Sequence, residues 1–470
     1  MNRAKSIQKV VESESCVGCG ACAFVTRQSM DINEYGEYVP NEEVFEKASV
    51  EEEKLMDFVC PSLNEEYNED KLASHFLEQK GMFSNKLGMY QSIYGGYVKE
   101  GNFRRNGTSG GFGTWIGNEL LKRGMIDGVI HVKESRREKF NDPFFKYSIS
   151  SSEEELQVGA QTRYHVVEIS EVLTLIKSRP GRYLFIGLPC MVKAVRRIQL
   201  IDPIIKESIK YTSSLICGHL KSINWTLSLA WGAGVKPMEL SSFQYRIKGN
   251  NISARAYIFK AFFGKEKLSK VQDSGGIIGG KFNQGALMLP ACNFCDDLVG
   301  ETADITIGDA WLSRYEIDQN GTNLLIVRNS EINSILNVAF NQNRINIDKL
   351  QEKDAIYAQS GGFRQRREGL AYRLKERDRL KIWRPVKRVS SDQYNPPLLR
   401  RIIYKLRSEV TRVSREAFFQ SMKQSDYSIY KQRMQLILKV LRVLEVASSI
   451  PRILNKKSSS ILIRLSRLVK

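Results

Sequence analysis

Short apolar runs alternate with amphipathic stretches through the middle of the chain, and several end in turns of small residues. Ser92 to Lys99 reads as a strand with a Gly95-Gly96 interruption. After the turn Asn106-Gly107-Thr108-Ser109-Gly110-Gly111, the positions Phe112, Trp115, Ile116, Glu119 and Leu120 predict a helix that Gly124 stops. Gly128 to Val132 and Arg182 to Ile186 read as further strands; the second ends in Gly187-Leu188-Pro189-Cys190 and passes into a helical run from Met191 to Ile198. Ala303 to Ile307 alternates as a strand and ends in Gly308-Asp309-Ala310-Trp311. Strands alternating with helices, with polar loops after the strand ends, predict an α/β sheet with its site at those ends, α+β over the whole chain. Ahead of it, Asp31 to Pro40 reads as a hairpin with Gly36 near its turn, and acidic residues dominate from Glu42 to Glu69. The expected division is a small ferredoxin-like module over 1–80, an α/β domain over 88–340, a helical linker over 341–395 and a basic amphipathic helical tail over 396–470.

The chain has 470 residues, 42% of them hydrophobic, enough to bury a large core across two or three domains. No run of about 18 uncharged apolar residues predicts a membrane-spanning helix. The start, Met1-Asn2-Arg3-Ala4-Lys5-Ser6, lacks the apolar segment of a signal peptide, so the expected location is cytoplasmic, with peripheral attachment at the inner membrane surface left open. Charge is uneven: from Arg400 to Lys470 there are 17 Lys/Arg against 4 Asp/Glu, which is +13 of the total +19. The body is therefore only mildly basic and its charge calls for no nucleic acid. Leu436, Ile437, Val440, Leu441 and Leu444 recur at helical spacing around Lys439 and Arg442, and Ile461, Leu462, Leu465 and Leu468 repeat this beside Arg464 and Arg467. Such a tail is a solvated helical face, a membrane-surface segment or a partner-binding segment.

The eight cysteines form two sets. Cys16, Cys19 and Cys22 stand at C-x-x-C-x-x-C spacing, and Cys60 follows in Val59-Cys60-Pro61. In bacterial ferredoxins three cysteines of one such run bind a 4Fe-4S cluster whose fourth ligand is the Cys-Pro cysteine of the other run. Thr26 replaces the first run's fourth cysteine, and Met56, Glu53 and Val50 replace the other three of the second run. One complete quartet remains, which predicts one 4Fe-4S cluster and an electron-transfer role. The second set is Cys190, Cys217, Cys292 and Cys295, the last two a C-x-x-C. Four thiolates suit an iron–sulfur cluster or a structural zinc, and the spacing also allows Cys190 and Cys217 to be ordinary buried thiols. Ser109, Gly110 and Gly111 at a helix start are candidates for a phosphate cradle, or simply a tight turn.

Ser109-Gly110-Gly111 with Asp127-Gly128-Val129, Gly187-Leu188-Pro189-Cys190, Cys217-Gly218-His219, Cys292-x-x-Cys295 and Ala303 to Trp311 occur in that order. Together they resemble the coenzyme F420 hydrogenase/dehydrogenase beta-subunit family over roughly residues 90 to 340. The resemblance implies an FAD-binding α/β domain with a second 4Fe-4S cluster near the flavin. It implies electron flow from a one-electron donor such as ferredoxin, through the clusters to FAD and a small organic substrate; the alternative is a non-catalytic subunit feeding a partner oxidoreductase. On this reading Ser109, Gly110, Gly111 and Gly187 hold FAD. Asp309 contacts a ribityl hydroxyl or the ring edge, unless it only caps the following segment. His219 and Lys221 are candidate proton donors, with His219 equally readable as a neighbour of Cys217, and Arg163-Tyr164 matches a basic-aromatic step of the family. Met191 stands where the family often has Gln, and Leu289 near where it often has Arg, so coenzyme F420 is not assigned as the partner. The Cys217-Gly218-His219-Leu220-Lys221-Ser222 form resembles members encoded among surface-polysaccharide genes.

Overall fold

The computed structural model describes residues 6–63, 65–248, 256–264 and 266–449. An eight-stranded sheet organises it: β1 Ser92–Val98, β2 Gly128–Glu134, β3 Phe145–Ser150, β4 Tyr183–Gly187, β5 Ile209–Leu215, β6 Ile305–Asp309, β7 Asn323–Val327 and β8 Ile345–Lys349. Their order across the sheet is β8-β1-β7-β6-β5-β4-β2-β3. The central strands β2, β4, β5 and β6 pair in parallel, while β3 on one side and β7, β1 and β8 on the other run antiparallel to their neighbours. Every residue of β4 and β7 is buried, as expected of strands covered on both faces. This is the α/β architecture the alternation predicts, and the parallel strands send their C-terminal ends, carrying Gly187, Leu215 and Asp309, to one edge.

The N-terminal module holds the expected hairpin, Met30–Ile32 against Tyr38–Pro40. Gly36 turns it at φ +71°, and a Cβ there would come within 2.8 Å of the Asn224 backbone nitrogen. Helix α1 (Ala21–Thr26) lies between two left-handed residues, Gly20 and Arg27. Helix α2 (Val50–Val59) starts with a capping box between Ser49 and Glu52 and delivers Cys60 at its end. A small satellite core of Ile7, Cys22, Val44 and Met56 belongs to the module. Cys19, Ala21, Phe24, Tyr38 and Val59 instead join the main core, with Phe185, Val192 and Val195. Helices α3 (Phe112–Lys122) and α4 (Pro189–Ile201) follow β1 and β4.

Two expectations need correction. The segment 341–395 is more than a helical linker. It contributes the edge strand β8, with Ile345 and Ile347 turned inward, and then helices α5 (Ser360–Arg366) and α6 (Glu368–Arg379), which send arginines toward the second cysteine set. The five-residue alternation in Ile345-Asn346-Ile347-Asp348-Lys349 is too short to stand out beside the charged helices after it. The tail, in turn, spends most of its apolar face on the body. Helix α7 (Leu398–Gln424) and α8 (Tyr427–Ser449) place Ile403, Val410, Phe418, Tyr430, Met434, Leu441 and Leu444 in the main core. Leu436 stays exposed, whereas Ile437 and Val440 are half-buried. Ile461, Leu462, Arg464, Leu465, Arg467 and Leu468 lie outside the described residues. Among those described, no helix is long and apolar enough to cross a membrane.

Candidate functional site

The first cysteine quartet converges on a small apolar cavity. Cys16, Cys19, Cys22 and Cys60 line it together with Ile7, Val10, Val17, Met30 and Pro61. Left-handed glycines at 18 and 20 bend the loop so that successive cysteines turn inward. Burial, reinforced by the neighbouring thiols, pushes the Cys16 thiol up to about 12 and raises Cys19 and Cys22 as well. Such thiols ionise only against a compensating cation, which is what an iron–sulfur core supplies. The Gly18 N–H donates to the Cys16 sulfur at 3.4 Å. Arg197, fully buried, donates to the carbonyls of Cys60, Leu63 and Tyr67 and braces the Cys-Pro turn.

The second set is assembled from three distant places. Cys190 stands in the first turn of α4, Cys217 follows β5, Cys292 lies within the short turn Pro290–Phe294 and Cys295 directly follows it. Burial raises Cys190 first, followed by the charges of Cys217, Cys295, Cys292 and then Cys19 of the first set. The four sulfurs of the second set act on one another electrostatically, and Cys190 and Cys292 pack against the core that holds Cys19. The Leu220 N–H donates to the Cys292 sulfur at 3.2 Å. Arg366 of α5 donates to the carbonyls of Cys217, Gly218 and Asp297. Burial works against its charge, and the Cys295, Cys217 and Cys292 sulfurs more than offset this. Among the described residues no group of three or more His, Cys, Asp or Glu side chains closes on a single metal ion.

A cavity of about 700 Å³ opens where the parallel strands end, within the size range of small-molecule and cofactor sites. Ser109, Gly111, Gly187, Cys217, His219 and Asp309 all line it. The sites expected at separate loops thus share one wall with a cysteine of the second set. Three buried polar atoms of residues that line it have no hydrogen-bond partner: Ser109 Oγ, Arg163 Nε and His219 Nε2. Orphaned donors and acceptors around an aromatic-lined cavity fit a large polar heterocyclic cofactor such as FAD. His219 stacks on Phe282 at 4.2 Å between ring centroids, and burial keeps its pKa well below the ordinary 6.5, so it is neutral. Tyr164 and Tyr257 extend this wall. Gly111, at φ +94°, starts α3 beside the cavity.

Two expected site residues sit elsewhere. Gly110 does not line the cavity: its carbonyl accepts from Val98 N at 2.8 Å, and a Cβ would strike the Gly96 oxygen at 2.6 Å. Its smallness serves loop-to-strand packing. Lys221 lies behind the wall, donating to the Ala286 carbonyl at 2.6 Å and facing Trp225 and Phe282. Burial lowers its pKa to about 7. Asp309 is in place but engaged, since its carboxylate pairs with Arg246 at 2.8 Å. Arg246 was not legible in the sequence. It is held at φ +49°, a strained setting for a non-glycine residue, and no motif surrounds it. Lys248 donates to the carbonyl of Ser109 at 3.0 Å and pins the loop ahead of α3. Met191 also lines the cavity, whereas Leu289 is buried in the main core.

The N-terminal and C-terminal models of the coenzyme F420 hydrogenase/dehydrogenase beta subunit match residues 93–174 and 181–353. The chain belongs to this family, whose members carry iron–sulfur clusters. Among solved structures, a chain of the F420-reducing NiFe hydrogenase complex from Methanosarcina barkeri is similar at 16% identity and a TM-score of 0.49, covering 65% of this chain and 98% of that one. No curated protein sequence matches the chain.

Proposed function

We propose that the protein is an iron–sulfur flavoprotein oxidoreductase that passes electrons between a one-electron donor of the ferredoxin type and a small organic substrate. In this reading each cysteine quartet holds a 4Fe-4S cluster and the strand-end cavity holds FAD. The observation that carries it is the continuity of the three places: Cys190 and Cys292 pack against the core that holds Cys19, and Cys217 of the same quartet lines the cavity. A bound flavin supplies the exchange between one-electron and two-electron chemistry. The chain's own part is positional. Ser109 Oγ and Arg163 Nε offer unpaired polar contacts, Gly111 lets the backbone come close, and the Arg246–Asp309 pair presents fixed charges at the strand ends. His219, neutral and stacked on Phe282, keeps an unpartnered Nε2 that a group bound in the cavity could hydrogen-bond. The likeness of the Cys217 to Ser222 segment to members among surface-polysaccharide genes makes a sugar or lipid-linked sugar the substrate class to try first.

Membership in a family of beta subunits favours a second reading, a transfer subunit that feeds a partner oxidoreductase. Iron, acid-labile sulfide, zinc and flavin per chain after anaerobic purification test the first step. About eight irons and one FAD support the relay, since each quartet accommodates one 4Fe-4S cluster. About four irons with one zinc and no flavin sink it. Substrate oxidation by the isolated chain then separates enzyme from transfer subunit.

A further inference from the structure

His131 lines the strand-end cavity. It is 5% exposed on β2, and Lys133, two residues on, shares its face of the strand. Ser150, fully buried at the end of β3, bridges the two side chains: its Oγ is 2.8 Å from His131 Nε2 and 2.9 Å from Lys133 Nζ. Lys133 is half-buried and also donates to the Ile149 carbonyl at 3.3 Å. These contacts fix where each hydrogen lies. An ammonium group only donates, so Lys133 donates to Ser150 Oγ. The Ser150 hydroxyl keeps one hydrogen of its own, and His131 Nε2 is the neighbour able to accept it. A hydroxyl hydrogen left unpaired at so buried a place is costly. Burial, followed by the charges of Lys133 and Arg163, lowers the imidazole to about 4 and keeps it neutral. A neutral ring that accepts at Nε2 carries its proton on Nδ1. That Nδ1 has no hydrogen-bond partner among the described residues. Gly159, another residue of the cavity wall, lies against the same edge of the ring. A Cβ there would stand 2.7 Å from Nδ1 and 2.1 Å from Cε1, so a side chain at 159 would fill the space beside Nδ1.

Resting on the reading that this cavity holds a flavin, we infer that His131 presents a fixed Nδ1–H donor to an acceptor atom of the flavin ring, and that Ser150 and Lys133 are positioning residues that set its tautomer. A neutral, preorganised donor suits an acceptor that gains negative charge on reduction, because hydrogen bonds to charged acceptors are about twice as strong as neutral ones. The donor therefore favours the reduced ring over the oxidised one. No proton leaves His131 in this role.

The test has two readouts on the full chain purified anaerobically. Nitrogen-15 NMR of histidine-labelled protein should show His131 as the Nδ1–H tautomer, its signals assigned by their loss in His131→Asn. Ser150→Ala and Lys133→Met should each abolish that single tautomer, and Lys133→Arg, which keeps a donor, should retain it. An Nε2–H tautomer in the wild type overturns the inference. The second readout is the bound flavin. His131→Leu should weaken FAD binding by about 5- to 10-fold and lower the flavin midpoint potential. His131→Asn, whose side-chain amide stands near the position of Nδ1, should keep most of both. Where His131→Leu fails to accumulate, Ser150→Ala stands in, since it frees the tautomer and leaves the ring in place. Flavin affinity and potential unmoved in these variants overturn the inference while leaving the relay intact. A chain that binds no flavin overturns the reading on which the inference rests, and the inference with it.

Discussion

Gly111 shows how little room a single position can have. Its φ of +94° lies in the left-handed region, and a Cβ would stand 2.7 Å from both the Arg104 nitrogen and the Phe103 carbonyl carbon. Those neighbours are backbone and cannot rotate away. Gly111→Ala should therefore destabilise the protein by about 1–3 kcal/mol and reduce bound flavin, read as thermal midpoint and as flavin absorbance per chain. An unchanged midpoint and flavin content would remove Gly111 from the site. Two buried histidines give a pH signature. His131 is held down to about 4 and His165 to about 3, in each case by burial first and then by nearby cations. His131 meets Ser150 at 2.8 Å, and His165 meets Thr226. Below the ordinary value of 6.5 the unfolded chain takes up protons that the folded histidines refuse. Their contribution is present above pH 6.5 and is lost as the pH falls toward 4, by up to about 1.4 kcal/mol per pH unit for each histidine. Denaturation midpoints between pH 7.5 and 4.5 should fall more steeply in the wild type than in His131→Gln. Identical slopes would show that His131 titrates normally.

At the scale of elements, α7 is tied to the N-terminal module across the whole length of the sequence. Arg415, 5% exposed, pairs with buried Glu37 at 2.8 Å and with Glu14 at 2.5 Å. Removing one partner of a buried ion pair leaves the other uncompensated, a cost of about 3–5 kcal/mol. Arg415→Met should loosen the hairpin beside the first quartet, seen as faster proteolysis in residues 27–40. Adding Glu37→Gln should restore much of the loss, and a double variant no better than the single one would place the effect outside this pair. This contact also marks where sequence reading stops. The hairpin, α3, α4 and the strands β1, β2, β4 and β6 follow from local periodicity and from Gly36, Gly111 and Pro189 at turns and helix starts, so they are legible, whereas the central strand β5 is not among the expected strands. The eight cysteines are legible because spacing alone groups the first four and ordered motifs group the rest. Arg246, Arg366, Arg373 and Arg415 are not, because an arginine's partner is chosen by tertiary approach across tens to hundreds of residues and leaves no local pattern. Lys221 fails for the converse reason. Its neighbour His219 faces the cavity, but the bridges that join Lys221 to His165 and Met288 turn it to the other side of the wall.

Across the whole molecule, the proposed relay puts the two quartets and the cavity in series. The first quartet belongs to the module, Cys190 and Cys292 of the second pack on the core that holds Cys19, and Cys217 lines the cavity. A series has an entry, and breaking it there should have a different outcome from breaking it in the middle. Cys60 follows α2, is half-buried as a residue, and has its carbonyl braced by Arg197. Cys60→Ser should remove the first cluster alone, lowering iron from about eight to about four per chain and leaving flavin content unchanged. The remaining centres should still be reduced by a small viologen, which can approach any exposed edge. On the reading that a ferredoxin docks at the module, they should no longer be reduced by it. Cys190→Ser should instead leave ferredoxin able to reduce the first cluster while the flavin absorbance stays oxidised. Ferredoxin-driven flavin reduction that survives Cys60→Ser would mean that electrons enter at the second quartet, and the module would then be a structural cover rather than the port.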